Sequence, residues 1–193
     1  MLKIGLTGGI GSGKTLVAEI FKTLQIPVFN ADQQAKSLLH TPWTKDQLRK
    51  IFGDAIFGLD EIDRKALANV VFSQPDKLAL LNEVIHPKVH ELFYTFANET
   101  ASSRFIIYEA AILIETGFYQ QLDNLILVTA DEELRISRVM KRDNVSREMV
   151  VQRMKNQWPD EKKIPVSGFV IRNDENSLLI PQVLAVFNQL IKS

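Results

Sequence analysis

The sequence Gly8-Gly9-Ile10-Gly11-Ser12-Gly13-Lys14-Thr15 directly follows an apolar run at the start of the chain, Leu2–Thr7. Its spacing, a glycine and four further residues before Gly-Lys-Thr, is that of a phosphate-binding loop, or P-loop. Glycine residues allow the backbone to adopt positive φ and to turn several N–H groups toward a polyphosphate. A helix that begins after the loop directs the positive end of its dipole to the same place. The motif therefore predicts a site for a nucleoside triphosphate.

The residues of this loop have separate expected roles. Lys14 supplies a positive charge for the β- and γ-phosphates, as a nucleotide-binding and catalytic residue, and the Thr15 hydroxyl is a ligand for Mg²⁺. The other nucleotide-binding candidates are Gly8, Gly9, Gly11, Ser12, Gly13 and Leu16. A glycine-rich turn without a ligand is the alternative. It does not account for a lysine and a threonine in register between an apolar strand and a helix.

Apolar segments alternate with helical patterns in the rest of the chain. The predicted strands cover residues 2–7, 27–29, 105–108, 125–128 and 168–171. Such alternation is typical of a parallel sheet with helices on both faces, in which ligands bind at the carboxyl ends of the strands. Since the P-loop, Asp32 and Glu109 each follow a predicted strand, we expect them to lie at one edge of the sheet. The predicted fold is therefore α/β, a five-stranded parallel sheet of the P-loop kinase type.

Residues 43–101 contain several helical patterns and no strong strand. Within them we predict a turn over residues 57–60 and two helices that meet at His86-Pro87, because proline interrupts a helix. A helical insertion of this length between two strands offers space for a second substrate. The predicted nucleotide-binding core consists of residues 1–42, 102–130 and 167–193. The predicted helical substrate-binding subdomain covers residues 43–101, and the predicted helical lid covers residues 131–166.

The composition limits the classes of partner. The 23 Lys and Arg residues balance the 23 Asp and Glu residues, so the charge gives no electrostatic basis for nucleic acid as the main partner. The chain has no cysteine, which excludes disulfides and thiol chemistry and is compatible with a reducing compartment. It also shows no membrane-spanning apolar run and no signal-peptide pattern. We therefore expect a cytoplasmic protein, a monomer or weak homo-oligomer, that binds neither membrane nor nucleic acid.

Two acidic residues that follow predicted strands are candidates for chemistry. Asp32 can accept the proton of an acceptor hydroxyl during phosphoryl transfer. It can equally cap a helix that begins near Gln33, and the residues alone do not separate these two roles. Glu109 lies where P-loop proteins often have an acid for Mg²⁺ or its water shell. The alternative for Glu109 is a solvated acid at the end of a strand.

Arg135, Arg138 and Arg142 have the spacing that places side chains on one helical face. Arginine suits the charge that develops on a transferring phosphoryl group, when a segment that closes on ATP delivers it. A solvated charged face is the ordinary alternative. The position after the fourth strand, where small P-loop kinases have a lid, favours the functional role by analogy.

The three histidines lack metal-ligand spacing, and the residues alone favour a structural capping role for His86.

Several further motifs occur together with the P-loop. They are Ala31-Asp32-Gln33-Gln34-Ala35, Arg64-Lys65-Ala66-Leu67, Val71-Phe72, Leu81-Asn82-Glu83-Val84-Ile85-His86-Pro87, Arg138-Val139-Met140-Lys141-Arg142-Asp143 and Gln157. A P-loop alone is shared by many families, whereas its combination with Ala31-Asp32, Asn82 and His86-Pro87 is specific. With these motifs the chain resembles the dephospho-CoA kinase family over almost its whole length, from Ile4 to about Asn173.

The resemblance implies transfer of the γ-phosphate of ATP, with Mg²⁺, to the ribose 3′-hydroxyl of dephospho-CoA. It makes Asp32 the general base on that hydroxyl and Arg138 the lid arginine on the transferring phosphate. It also implies that Asp32, His86 and Arg64 bind the acceptor, and that the helical insertion holds the CoA end. The sequence departs from the family where Ala110-Ala111-Ile112-Leu113 replaces a common Pro-Leu-Leu segment. A second departure is Ser167-Gly168-Phe169, in place of an Ala-Asp pair.

Other functions of a P-loop protein remain as alternatives. The nearest one is a P-loop kinase that phosphorylates another nucleotide or a nucleoside. A GTPase-type switch would need the guanine-binding signature Asn-Lys-x-Asp, which the sequence lacks. An ATPase that acts on nucleic acid is disfavoured by the balanced charge. The residues by themselves indicate a small-molecule kinase, and the acceptor is identified by the resemblance.

Overall fold

The computed structural model describes residues 1–192, except for the side chains of Phe72, Ser73 and Pro75. The chain divides into two compact units, one made of Met1–Asn30 and Glu99–Ser193 and the other of Ala31–Asn98. The second unit begins at Ala31, not at residue 43 where the insertion was predicted to start. One reason is that Leu39 packs against the apolar cluster of this unit. The predicted core range 167–193 ends on a residue that lies outside the described part.

The strands and helices follow in chain order. The strands are β1 (Leu2–Gly8), β2 (Val28–Asn30), β3 (Phe57–Gly58), β4 (Glu61–Ile62), β5 (Phe105–Glu109), β6 (Asn124–Thr129) and β7 (Phe169–Arg172). The helices are α1 (Lys14–Thr23), α2 (Ala31–Leu38), α3 (Pro42–Phe52), α4 (Arg64–Ser73), α5 (Pro75–Glu99), α6 (Glu132–Asp143), α7 (Arg147–Met154), α8 (Asp160–Lys163) and α9 (Leu179–Lys192). Short 3₁₀ turns occupy Gly53–Ile56, Phe118–Gln121 and Ile164–Val166.

The first unit is built on a five-stranded sheet in the order β2-β5-β1-β6-β7, and all four neighbouring pairs are parallel. The prediction of a five-stranded parallel α/β sheet is therefore confirmed. Apolar side chains from α1 and α9 pack against the strands, as Phe21 does in its edge-on contact with Phe105 at a centroid distance of 6.2 Å. The central strands are buried nearly throughout, which explains why their sequences are continuous apolar runs without alternation.

The register of the strands determines which residues meet at the carboxyl edge of the sheet. Leu6 of β1 lies opposite Glu109 of β5, and Glu109 in turn lies opposite Asn30 of β2. On the other side Gly8 lies opposite Val128 of β6. The P-loop and Glu109 therefore leave the sheet at the same edge, as the alternation of strands and helices predicted.

The second unit has its own apolar cluster, formed by Leu48, Ile56, Ile62, Leu67 and Val71. The turn predicted over residues 57–60 is the centre of a small hairpin, because β3 and β4 pair antiparallel on either side of Leu59-Asp60. Both turn residues have positive φ, as a two-residue hairpin turn of type I′ requires. Strands of two residues are too short to produce an alternating pattern, so they could not be predicted from the sequence.

The predicted break at His86-Pro87 is wrong, since α5 is one helix from Pro75 to Glu99 with Pro87 inside it. A proline nitrogen cannot donate to the preceding turn, which costs about 3 kcal/mol or more. Four side chains at intervals of four residues offset this cost by burial, namely Ile85, Val89, Phe93 and Ala97. A large apolar side chain contributes roughly 1.5–3 kcal/mol when fully buried, so the continuous helix is the more stable solution.

No helix in the described part of the chain, residues 1–192, has an apolar stretch long enough to cross a membrane.

Candidate active site

The P-loop connects the end of β1 to the start of α1 with two glycines in the left-handed region. Gly11 has φ 80° and Gly13 has φ 89°. Gly13 is the N-cap residue of α1 and has no side chain to bond the first turn of the helix. The loop therefore adopts the glycine-dependent conformation that its sequence predicts, with the amino-terminal end of α1 directly behind it.

The glycines of the loop are also required by close packing from outside. A side chain at Gly9 would collide with the guanidinium group of Arg135, and one at Gly13 would collide with the amide of Asn173. At Gly11 an added Cβ would lie 2.5 Å from the backbone oxygen of Arg135. The start of α6 and the segment after β7 thus cover the loop closely.

Gly11→Ala is expected to lower the free energy of unfolding more than Gly117→Ala. Both positions lie in the first unit and have positive φ, which costs alanine about 1–2 kcal/mol. Only Gly11 has a backbone atom in the way, and this adds about 1–3 kcal/mol because the backbone must move. Nothing lies within 4 Å of the added Cβ at Gly117, which makes it the matched control. Urea denaturation of the two variants measures the difference, and equal losses would contradict the close packing at Gly11.

Lys14 and Glu109 form a buried ion pair at the carboxyl edge of the sheet. The Lys14 Nζ atom lies 3.0 Å from Glu109 Oε1, and Asn30 Nδ2 donates to Glu109 Oε2 at 2.8 Å. Glu109 is only 1% exposed, so it is not the solvated strand-end acid that the sequence left open. A buried carboxylate of this kind is stable only when it is paired and hydrogen-bonded, and here Lys14 and Asn30 do both.

The other loop residues differ in exposure. Ser12 and the preceding Thr7 are buried, and their hydroxyl oxygens have no hydrogen-bond partner among the described residues. Thr15 lies in the first turn of α1 and is exposed. The Leu16 side chain is exposed as well, while its backbone N–H donates to the carbonyl of Gly13 at 3.0 Å.

Asn173 ties the P-loop to the end of the sheet. Its backbone N–H donates to the carbonyl of Thr129 at 2.8 Å, and its side-chain amide donates to the carbonyl of Ser12, also at 2.8 Å. Arg138 of α6 donates to the backbone carbonyl of Asn173 at 3.0 Å. Arg138 is therefore connected to the loop through Asn173 alone. In the sequence Asn173 was only the last residue of the region that resembles the family.

Gln157 makes a second bridge to the loop. Its side-chain oxygen accepts a hydrogen bond from the Ile10 N–H at 2.8 Å, and its side-chain nitrogen donates to the carbonyl of Ala111 at 2.9 Å. The loop is thereby connected to the segment that follows α7 and to the segment that follows β5. No local signal in the sequence could have revealed this bridge, because its partners lie far apart along the chain.

The arginines of α6 do not all point to the site. Asp131 caps the helix by accepting from the N–H groups of Glu133 and Leu134. Arg142 forms an exposed ion pair with Asp143 at 2.7 Å, so it does not join Arg135 and Arg138 near the loop. In this structure Arg142 therefore has the surroundings of the solvated charged face that was the alternative for these arginines, because the acid next to it at the end of the helix forms this pair.

Three predicted site residues, Asp32, Arg64 and His86, belong to the second unit. Asp32 is the second residue of α2, and since this helix begins at Ala31, Asp32 is not the N-cap of a helix that starts near Gln33. Its negative charge in the first turn still favours the helix dipole. Arg64 is the first residue of α4, and its Nη2 atom lies 2.8 Å from Nε2 of His40.

His86 lies inside α5, so it does not cap a helix as the residues alone suggested. Its ring is 6.2 Å from the ring of His90, one turn further along the helix. Burial lowers the pKa of His86 below its ordinary value, and burial together with the neighbouring His86 does the same for the pKa of His90. Both imidazoles are therefore neutral at pH 7 and can accept a hydrogen bond as well as donate one.

A lysine held at a phosphate-binding loop by a buried acid, on a five-stranded parallel sheet and beneath an arginine-bearing helix, defines a small-molecule kinase of the P-loop class. Kinases of this fold use ATP as the phosphoryl donor. Among them, the chain belongs to the dephospho-CoA kinase family, whose model matches residues 2–178.

Individual relatives agree with this assignment. The chain is 40% identical over 199 residues to a dephospho-CoA kinase of Chlorobaculum tepidum, covering 98% of this chain and 95% of the relative. It is 37% identical over 184 residues to one of Bacteroides fragilis, covering 95% and 90% respectively. A solved structure of dephospho-CoA kinase from Campylobacter jejuni superposes with a TM-score of 0.72 at 26% identity, covering 98% of this chain and 97% of that one.

Proposed function

We propose that the protein transfers the γ-phosphate of ATP to the ribose 3′-hydroxyl of dephospho-CoA and produces coenzyme A and ADP. The observation that supports the donor half is the buried Lys14–Glu109 pair at the P-loop. The family match over residues 2–178 supports the acceptor. In the reaction the 3′-oxygen forms a bond to the γ-phosphorus, the bond from that phosphorus to the β–γ bridging oxygen breaks, and ADP leaves.

The P-loop is proposed as the donor site. Its backbone N–H groups and the start of α1 would hold the β- and γ-phosphates, and Lys14 would place its ammonium group on them. Glu109 and Asn30 fix the lysine side chain before any nucleotide arrives, so that little reorganisation is needed when the phosphates bind. The buried Ser12 hydroxyl, which lacks a partner among the described residues, adds a donor beneath the loop.

Asp32 is proposed as the general base. It comes two residues after Asn30, the last residue of β2, whose side chain already bonds to Glu109 of the donor site. Because Asp32 is not an N-cap, its carboxylate is not required to begin the helix. A carboxylate at this point of the chain can orient the 3′-hydroxyl and accept its proton as the new P–O bond forms.

Mg²⁺ is proposed to bind at Thr15, with Glu109 bonding to its water shell. No group of three or more acids or histidines among the described residues could hold a metal by itself, so the ion would share the phosphates of ATP. The Thr15 hydroxyl at the start of α1 is a suitable ligand for an ion that is shared with the phosphates. The Glu109 carboxylate has about four acceptor positions, of which the hydrogen bonds from Lys14 and Asn30 use two. When bound, the ion neutralises charge on the phosphates.

The helical unit is proposed to hold the acceptor. Arg64 is a cation at the start of α4, and dephospho-CoA has a pyrophosphate for which arginine is a suitable partner. His86 is neutral and can hydrogen-bond to a hydroxyl or amide. In this proposal residues 43–101 bind the CoA end, residues 131–166 form the lid, and the protein acts in the cytoplasm. A monomer or weak homo-oligomer without nucleic-acid partners stays a prediction.

Arg138→Ala is expected to lower kcat by about 10²-fold while the KM for ATP changes much less. The reason is that a cation on the transferring phosphate is needed most when charge develops in the transition state. Arg142→Ala on the same helix is the matched control, since Arg142 pairs with Asp143 in solvent, and its kcat should stay near that of the wild type. Steady-state kinetics with ATP as the varied substrate separate the two effects. A rise in KM at unchanged kcat would contradict the role of Arg138.

Competition between acceptors tests the proposed function against its alternative, a kinase for another nucleotide or nucleoside. The protein is incubated with Mg-ATP and an equimolar mixture of dephospho-CoA, AMP and adenosine, and the products are separated by chromatography. Coenzyme A and ADP should form at the expense of dephospho-CoA. Predominant phosphorylation of AMP or adenosine would support the alternative and contradict the proposal.

A further inference from the structure

Arg135 is a buried arginine that lies directly against the P-loop. It is only 8% exposed, its guanidinium group occupies the position of a side chain at Gly9, and its backbone oxygen lies where a side chain at Gly11 would be. Unlike Arg138, which binds the carbonyl of Asn173, Arg135 has no hydrogen bond from its Nε atom within the described residues. A buried cation at a phosphate-binding loop with an unused donor is unusual, because a buried polar group is ordinarily bonded.

The counter-ion of Arg135 is Asp160 at the start of α8. The Nη1 atom of Arg135 lies 3.6 Å from Asp160 Oδ1, which is an ion pair but longer than a hydrogen bond. Asp160 Oδ1 also has no hydrogen-bond partner among the described residues. The two charges therefore compensate each other, but Arg135 Nε and Asp160 Oδ1 remain without a hydrogen bond among the described residues. Burial raises the pKa of Asp160 in spite of the nearby Arg135, as expected for an acid that its partner compensates only in part.

Among the charged groups that act on Asp160, Arg135 has the largest effect, followed by Lys163, Glu161 and Glu132. Lys163, one turn further along α8, is fully buried and lies 2.8 Å from Glu115 Oε1. Glu115 also accepts from the N–H of Trp158 at 2.8 Å. Glu161 is exposed to solvent. The segment that presents Asp160 is thus held by separate contacts, which do not depend on Arg135.

We infer that Asp160 holds Arg135 only in the nucleotide-free protein, and that Arg135 exchanges this carboxylate for the terminal phosphates of ATP. Phosphate oxygens are stronger partners for a guanidinium group, since they accept two parallel hydrogen bonds and have more charge. A cleft of about 500 Å³ beside the pair, lined among others by Gln157 and Trp158, gives the guanidinium group room to turn. This inference rests on the proposed binding of ATP at the P-loop.

The exchange makes Asp160 a competitor of ATP. Part of the affinity of the loop for the nucleotide is used to release Arg135 from Asp160, so removal of the acid should increase the affinity. Arg135, in contrast, should be required for full affinity. A role confined to stabilising the fold would lower the melting temperature of both variants without moving the affinity for ATP in opposite directions.

The test measures the Kd of Mg-ATP by isothermal titration calorimetry, without dephospho-CoA. Asp160→Asn should lower this Kd about fivefold or more, the lower end of the range for coupled sites. Arg135→Gln should raise it, and Asp160→Asn should have no further effect in the Arg135→Gln background. Glu161→Gln removes an equivalent charge from the same helix without touching Arg135 and should leave the Kd unchanged. Arg135→Lys, which retains the charge, serves if Arg135→Gln does not fold.

Three results would overturn the inference. One is a Kd in Asp160→Asn that is equal to or higher than that of the wild type, with the variant shown by its melting curve to be folded. A second is an equal gain in Glu161→Gln, which would make the effect one of overall charge. The third is a gain from Asp160→Asn that persists without Arg135. Failure of the proposed function would look different: the wild type would not bind ATP in this titration, or would not phosphorylate dephospho-CoA in the acceptor assay. These two measurements on the wild type therefore distinguish failure of the proposed function from failure of the inference about Arg135.

Discussion

Asp32→Asn is expected to lower kcat for the phosphorylation of dephospho-CoA by ~10²-fold or more, the scale of the loss of a general base. Asparagine retains the size of the side chain and can still hydrogen-bond to the acceptor hydroxyl, but it cannot take the proton. The Kd of Mg-ATP should stay close to that of the wild type, because the proposed donor site lies in Gly8–Thr15 with Glu109. Single-turnover kinetics and ATP titration on the same preparation measure the two quantities.

Asp46→Asn is the matched control for this experiment. Asp46 is an exposed acid on α3 in the same unit as Asp32, and its replacement removes the same charge. Its kcat should equal that of the wild type. Near-normal turnover of Asp32→Asn would show that another group accepts the proton, and an equal loss in both variants would show that the overall charge of the helical unit is responsible.

Lys14→Ala is expected to reduce kcat/KM for ATP by about 10²–10³-fold, the usual cost of removing one preorganised charge from a phosphoryl-transfer site. Both the affinity for ATP and kcat should fall, since the ammonium group is proposed to contact the phosphates in the ground state and in the transition state. Lys22→Ala, on the same helix and exposed to solvent with Glu19, is the control and should retain full activity.

The loss in Lys14→Ala has a structural component that a second variant removes. Glu109 is 1% exposed, and without Lys14 it becomes a buried carboxylate that keeps the Asn30 amide as a partner but has lost its counter-ion, which lowers stability. Lys14→Ala with Glu109→Gln should recover much of the melting temperature and none of the activity. Recovery of activity together with stability would mean that Lys14 serves the fold and not the phosphates.

The sheet could be predicted from the sequence because its signals are local. Each strand of the first unit is an apolar run that ends at a glycine or a polar residue, and a parallel sheet buried on both faces needs no other pattern. The α5 helix shows the limit of this approach. Proline alone predicts a break after His86, and only the burial of Val89 and the other apolar residues at intervals of four decides that the helix continues.

The site could be predicted where the chemistry is contiguous or at the end of a strand. The P-loop can be recognised because its residues are contiguous in the sequence. Lys14 lies next to Glu109 because parallel strands end at one edge of the sheet. The bridges made by Asn173 and Gln157 could not be predicted, since each joins segments that only the folded topology brings together. The different surroundings of Arg135 and Arg142 likewise depend on Asp160 and Asp143, which helical spacing does not reveal.

The identity of the phosphorylated product tests the central claim most directly. The protein is incubated with Mg-ATP and dephospho-CoA, and the reaction is followed by ³¹P nuclear magnetic resonance with mass spectrometry of the purified product. The proposed function predicts one new phosphomonoester on the ribose 3′-oxygen, formed in equal amount with ADP, and far less of this product with Asp32→Asn over the same time. Consumption of ATP that yields inorganic phosphate, or a phosphate on any other oxygen of the acceptor, would contradict it.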